Sequence, residues 1–142
     1  MKASDAIVQQ MRVAAEAAMK NAYCRYSDFR VGTAVLSADD KIFAGCNVEN
    51  ASYGLTMCAE RNAIFQAVAA GALTKDRKVK AVVIVTPAPK LTPPCGACRQ
   101  VIYEFCEEAD ADIFIFGGNN VGAFKLSALL PEAFGPKDLS EE

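Results

Sequence analysis

The chain has 142 residues, a formal net charge of −2 from 15 Lys and Arg against 17 Asp and Glu, and a hydrophobic content of 52%, a size that predicts a single domain over residues 1–142 with a substantial core. Its acids and bases are interspersed and form no basic stripe, which argues against a polynucleotide backbone as partner, and no apolar run approaches the ~18 residues of a membrane span. Histidine is absent, which excludes Ser–His and Cys–His nucleophiles and every His-ligated metal site.

Ser4 is placed to cap a helix over 5–22, where Ile7, Met11, Ala14, Ala15, Ala18 and Ala22 recur at helical spacing. The polar and aromatic run from Tyr23 to Phe29 reads as a loop. Val31 to Leu36 and Ile42 to Asn47 read as two short strands, joined by the turn chemistry of Ala38-Asp39-Asp40-Lys41 into a hairpin. A second loop, 48–57, precedes a helix over 58–70 that Gly71 stops. Lys75 to Lys80 is a charged connection, and the unbroken apolar run Ala81-Val82-Val83-Ile84-Val85 suits a central strand buried on both faces. Pro87, Pro89, Pro93 and Pro94 force an irregular loop, after which Cys95 opens a third helix with Cys98, Val101, Ile102 and Phe105 as its stripe. Ile113 to Phe116 forms the next strand, parallel to the preceding one across a helical crossover. Residues 117–120 form a turn, 124–126 a short edge strand, and Ser127 caps a last helical turn before Pro131. The pattern predicts a three-layer α/β/α sandwich around a mixed five-stranded sheet.

Chemistry concentrates in Cys58-Ala59-Glu60-Arg61 and Pro94-Cys95-Gly96-Ala97-Cys98. The start of the chain leads directly into a helical pattern instead of a signal peptide, so a cytoplasmic setting is expected, where thiols stay reduced and closely spaced cysteines point to metal. Cys95 and Cys98, three apart at a helix start, fall on one face. Cys58 begins another helix, and helix N-termini favour the thiolate that zinc requires. Three protein ligands with one position left for water is the form of a catalytic zinc site. A structural four-cysteine site is the competing reading: Cys106 lies roughly 12 Å along the helix from Cys98 and is out of reach, whereas spacing alone leaves Cys24 and Cys46 open.

Glu60 separates catalysis from structure. Two residues past Cys58 on a helix, it does not share the ligand's direction, so it can stand beside the metal's water and move protons; an isolated Glu there would merely complement the helix dipole. Arg61 has two readings. It donates to the ligand sulfurs and offsets the negative charge of three thiolates on a dication, or it lies on the exposed face.

These segments, taken with Tyr26-Ser27-Asp28-Phe29-Arg30-Val31-Gly32, Gly45 through Tyr53, Arg99-Gln100 and Leu129-Leu130-Pro131, resemble the small cytidine deaminase family of the three-cysteine, homotetrameric type over nearly the whole chain. The C-x-E and P-C-x-x-C pair is the zinc deaminase signature. Arg25 stands where the family commonly has proline, and Thr33 and Ser52 where alanine is usual. The resemblance implies one zinc ion per chain, no organic cofactor, and hydrolytic deamination of cytidine and 2′-deoxycytidine in pyrimidine salvage. It implies Glu60 as the catalytic residue, Cys58, Cys95 and Cys98 as ligands, and Arg61 tuning the metal's charge. Phe29, Asn47, Glu49, Tyr53, Ala59 and Phe134 are implied to bind substrate, with Asn47 and Glu49 on the ribose and Phe29 on the base or sugar. Tyr53 and Phe134 are implied to reach into a neighbour's pocket in a homotetramer, an expectation that the high apolar content supports independently. A deaminase of another nucleoside and a non-catalytic zinc-stabilised binding module are the competing functions.

Overall fold

The computed structural model describes residues 4–139. Helix α1 (Asp5–Met19) starts where the Ser4 hydroxyl accepts the Ile7 N–H at 3.3 Å, satisfying one of the free donors of a helix start. It ends before Ala22, because the Asn21 and Ala22 amides turn back onto the Ala18 and Met19 carbonyls. Strands β1 (Gly32–Ser37) and β2 (Ile42–Cys46) form the expected antiparallel hairpin. Helix α2 (Ala59–Ala69) follows, then β3 (Val79–Thr86), α3 (Gly96–Glu104), β4 (Asp112–Gly117), β5 (Asn120–Lys125) and the short α4 (Leu126–Leu129). The sheet order is β2-β1-β3-β4-β5. Only β3 and β4 run parallel, joined through α3; the other neighbours are antiparallel.

Side-chain alternation builds the layers. On one face α1 lays Val8, Met11 and Ala15 against Ala34, Leu36, Ala81 and Val83. On the other, Ala63, Ile64 and Ala67 of α2 and Ile102 of α3 cover Val35, Val82, Ile84, Ile113 and Ile115. The central strand β3 is thus buried on both sides, as its uninterrupted apolar run requires. The mixed five-stranded α/β/α sandwich is the architecture expected from the sequence. Among the described residues no helix is long and apolar enough to cross a membrane.

Other local features also differ from the expected ones. Strand β3 begins at Val79, inside the charged stretch, because the Val79 amide is taken by the Phe105 carbonyl. Strand β5 begins at Asn120, four residues earlier than expected, since the turn closes on Gly118 and Asn119 alone and Gly118 takes the required positive φ. Ser127 does not cap α4; its hydroxyl donates to the Asp110 carboxylate at 2.7 Å and Lys125 holds the cap position. Cys106 lies beyond the end of α3, buried among the residues beneath it.

The seating of α2 depends on a missing side chain. A Cβ on Gly45 would stand 2.6 Å from the Ala63 nitrogen and 3.1 Å from the Ala59 carbonyl oxygen, so β2 touches the helix backbone to backbone. Gly45→Ala must push α2 off the sheet, and overpacking of this kind costs about 1–3 kcal/mol. Calorimetry is expected to find a lowered Tm for Gly45→Ala; an unchanged Tm would show that α2 has room to move.

Candidate active site

The N-termini of α2 and α3 converge. Cys58 is the residue before α2 and Cys95 the residue before α3, each with extended backbone, and Cys98 lies in the first turn of α3. The Cys58 and Cys95 sulfurs are 3.9 Å apart, those of Cys95 and Cys98 3.5 Å, and all three lie within 4.8 Å of one another. Around a tetrahedral zinc with Zn–S bonds of about 2.3 Å, neighbouring sulfurs stand roughly 3.8 Å apart. The donor set and its spacing therefore fit zinc. Cys24, Cys46 and Cys106 are outside this cluster, so among the described residues no fourth cysteine completes the shell and the structural four-cysteine reading fails.

Electrostatics favour the thiolate at Cys58. Its pKa is pulled down to about 5, first by the hydrogen bond with Cys98 and then by the Arg61 guanidinium, against the effect of burial. The same contact with Cys58, together with burial, pushes Cys98 up. A metal replaces the protons that such crowded thiols cannot share. Arg61 Nη2 donates to the Cys58 sulfur at 3.3 Å. Of the two positions that spacing left open for Arg61, the structure therefore has the one on the sulfur.

Glu60 is in the first turn of α2 and only 6% exposed. Burial pushes its carboxyl above the ordinary carboxylate range, and the neighbouring Cys58 charge adds to the effect. It lines a cavity of about 300 Å³ together with Cys58, Cys95 and Ala59, at the lower end of the ~300–1,000 Å³ typical of small-molecule sites. Three larger hollows, of about 670 Å³ along the C-terminal segment, about 530 Å³ beside β2 and about 440 Å³ between Tyr23 and Asn50, contain none of the three clustered cysteines.

Phe29, Asn47 and Glu49 line the same cavity. Asn47 is buried and works on the loop: its Oδ1 accepts the Val31 N–H at 2.9 Å and its Nδ2 donates to the Phe29 carbonyl at 2.8 Å. Glu49 accepts from the Tyr26 and Ser27 amides at 3.0 and 3.1 Å and from the Ser27 hydroxyl. Those bonds, the Ser27 hydroxyl first, hold its carboxyl below the usual range. Tyr53 and Phe134 stand apart. Tyr53 is 75% exposed and meets Tyr26 edge to face with ring centroids 6.0 Å apart; Phe134 is 58% exposed and lines the C-terminal hollow. Neither borders the zinc-side cavity of its own chain.

Ser27, Thr56 and Thr86 also line the cavity and were not singled out from the sequence. Ser27 sits inside the Tyr-Ser-Asp-Phe run, and its signal was its neighbourhood. Thr86 is the last residue of β3 and carries no sequence signal beyond the end of the apolar run.

The model of the cytidine and deoxycytidylate deaminase zinc-binding region matches residues 6–111. The chain belongs to this family. It is 44% identical over 127 residues to a cytidine deaminase of Halalkalibacterium halodurans, covering 87% of this chain and 91% of that protein. A cytidine deaminase of Mycobacterium tuberculosis is 39% identical over 132 residues, covering 93% and 92%. The crystal structure of a cytidine deaminase from Burkholderia pseudomallei superimposes with a TM-score of 0.81 at 42% identity, covering 89% of this chain and 98% of that one. The matched region contains both cysteine segments and ends before α4 and Phe134.

Family membership and the three-sulfur cluster agree on zinc as the metal. Cys58→Ala, Cys95→Ala and Cys98→Ala are each expected to abolish stoichiometric zinc by elemental analysis, whereas Cys24→Ala and Cys106→Ala keep it. Full zinc in any of the first three would remove that sulfur from the ligand set.

Proposed function

We propose that the chain catalyses hydrolytic deamination of cytidine and 2′-deoxycytidine to uridine and 2′-deoxyuridine, releasing ammonia, as a cytoplasmic enzyme of pyrimidine salvage. The observation that carries this reading is Glu60: a buried, non-ligand carboxyl beside three clustered thiols, lining a cavity of nucleoside size. Relatives named cytidine deaminase along nearly the full chain support the choice of substrate.

Cys58, Cys95 and Cys98 would hold the zinc ion, which would supply the Lewis acidity that makes water a nucleophile near neutral pH. Glu60 accepts the proton of that water and delivers it to ring N3, so that C4 becomes open to attack. As the water oxygen bonds to C4, Glu60 carries the second proton of that water to the amino group; the C4–N bond breaks, ammonia departs, and the oxygen is left as the C4 carbonyl of the product. A carboxyl raised by burial suits this exchange, because it holds and releases a proton closer to neutrality than a solvated carboxylate does. Arg61, donating to the Cys58 sulfur, withdraws electron density from a ligand set whose three negative charges oppose the metal's acidity.

Binding follows from the lining. The Ala59 N–H, free at the start of α2, donates to the ring carbonyl. Phe29 covers the base or sugar. Asn47 and Glu49 meet the ribose hydroxyls with the donor and acceptor capacity that the loop leaves over, which favours a nucleoside over the free base. Their bonds to the Tyr26–Val31 segment also hold Phe29 in place.

We place the active enzyme in a homotetramer in which Phe134 and Tyr53 enter a neighbouring subunit's pocket. The exposure of both rings in the single chain supports this reading. Loss of cytidine absorbance on adding the enzyme tests the reaction directly. Glu60→Gln is expected to keep zinc and fold while activity falls at least ~10²–10⁴-fold; a variant with a tenth of wild-type activity would remove Glu60 from this role. Phe134→Ala is expected to raise KM for cytidine with zinc content unchanged. Mixing Phe134→Ala chains with Glu60→Gln chains under subunit exchange should restore some intact sites, and a fully active monomer would defeat the shared pocket.

A further inference from the structure

Among the described residues, the loop that delivers Cys95 makes no main-chain hydrogen bond within itself. It contains Pro87, Pro89, Pro93 and Pro94, none of which has an N–H to donate, and Cys95 itself is exposed. Donors must come from elsewhere. Asn120 donates to the Pro89 carbonyl at the far end of the loop. At the metal end the donor is Arg99.

Arg99 does not line the cavity. Its Nε donates to the Pro94 carbonyl at 2.7 Å and its Nη1 to the Leu129 carbonyl at 2.7 Å. Its main-chain N–H donates to the Cys95 carbonyl at 3.0 Å. One residue therefore holds the peptide group on each side of Cys95. The same guanidinium reaches the C-terminal segment at Leu129, thirty residues further along the chain. A planar fork with fixed donor directions suits two carbonyls at once, and charge-assisted bonds are the stronger kind.

We infer that Arg99 is a positioning residue for the metal site, tying the peptide before Cys95 to the C-terminal segment and so fixing where the Cys95 sulfur stands. Gln100 supplies the internal comparison. Its Nε2 donates to the Phe134 carbonyl at 2.7 Å, so it holds the same C-terminal segment without touching Pro94. The inference rests on the zinc reading of the three cysteines and adds a residue that controls how firmly the ion is kept.

The test is zinc transfer from the loaded full-length chain to a chromogenic chelator, with melting temperatures measured alongside. Arg99→Gln is expected to release zinc roughly ten-fold faster than wild type, the lower end of what outer partners of metal ligands contribute. Arg99→Lys, which can reach one carbonyl at a time, should fall between the two and carries the comparison if Arg99→Gln does not fold. Gln100→Ala should release zinc at the wild-type rate. So should Val8→Ala, which weakens the opposite layer of the fold. Release from Arg99→Gln at the wild-type rate would overturn the inference, as would an equal acceleration in Gln100→Ala or Val8→Ala, which would reduce Arg99 to general stability. A wild-type chain that binds no zinc would instead sink the metal reading itself.

Discussion

Two helices of the same layer point their N-termini at one spot, and the chemistry of this protein depends on that meeting. The free N–H groups and dipoles of α2 and α3 favour negative charge where they converge, and three cysteine sulfurs occupy that position. Cys58 and Cys95 both take extended backbone just ahead of their helices, which brings their sulfurs to 3.9 Å. Crowded thiols without a metal must divide their protons unevenly, so Cys58 is pulled down and Cys98 pushed up. A dication removes that conflict, which makes zinc as much a structural answer to this geometry as a chemical reagent.

The sheet sets how accurately the helices meet. Gly45 allows β2 to touch the backbone of α2 near Ala59 and Ala63, and the parallel β3–β4 pair carries α3 as its crossover. Ile84 and Thr86 at the end of β3 border the cavity from below, while Glu60 borders it from α2. Asn62, two residues further along α2, donates to the Cys46 carbonyl at 2.8 Å, so the helix is also tied to the end of the strand that leads to Asn47. The cysteine cluster and the wall of the cavity beside it are thus held by one continuous piece of structure. A rigid support of this kind is what catalytic positioning needs, because small displacements of reacting groups are costly in rate.

Much of this was legible in the sequence because the signals were local. Cysteine spacing and the apolar run of β3 state their place within a few residues, and the Glu two residues past Cys58 lies in the cavity wall beside the clustered sulfurs. What escaped was long-range. Ser127 reads as a cap until Asp110, seventeen residues earlier, takes its hydroxyl. Strand β5 is an edge whose side chains are mostly exposed, so it lacks the alternation that marks a half-buried strand. Asn47 reads as a polar strand end, yet it is buried and spends its amide on Phe29 and Val31. Arg99 stands beside a ligand in sequence, but its partner at Leu129 appears only in three dimensions. Tyr53 and Phe134 lie outside the cavity of their own chain, and one sequence carries no record of where a second copy would sit.

The central claim is that three sulfurs from two helix starts hold one zinc ion and leave a position open for chemistry. Zinc K-edge X-ray absorption on the purified chain tests it most directly. Three sulfur neighbours at about 2.3 Å and one light-atom neighbour at about 2.0 Å are expected. A shell of four sulfurs, or a chain purified without zinc, would contradict it.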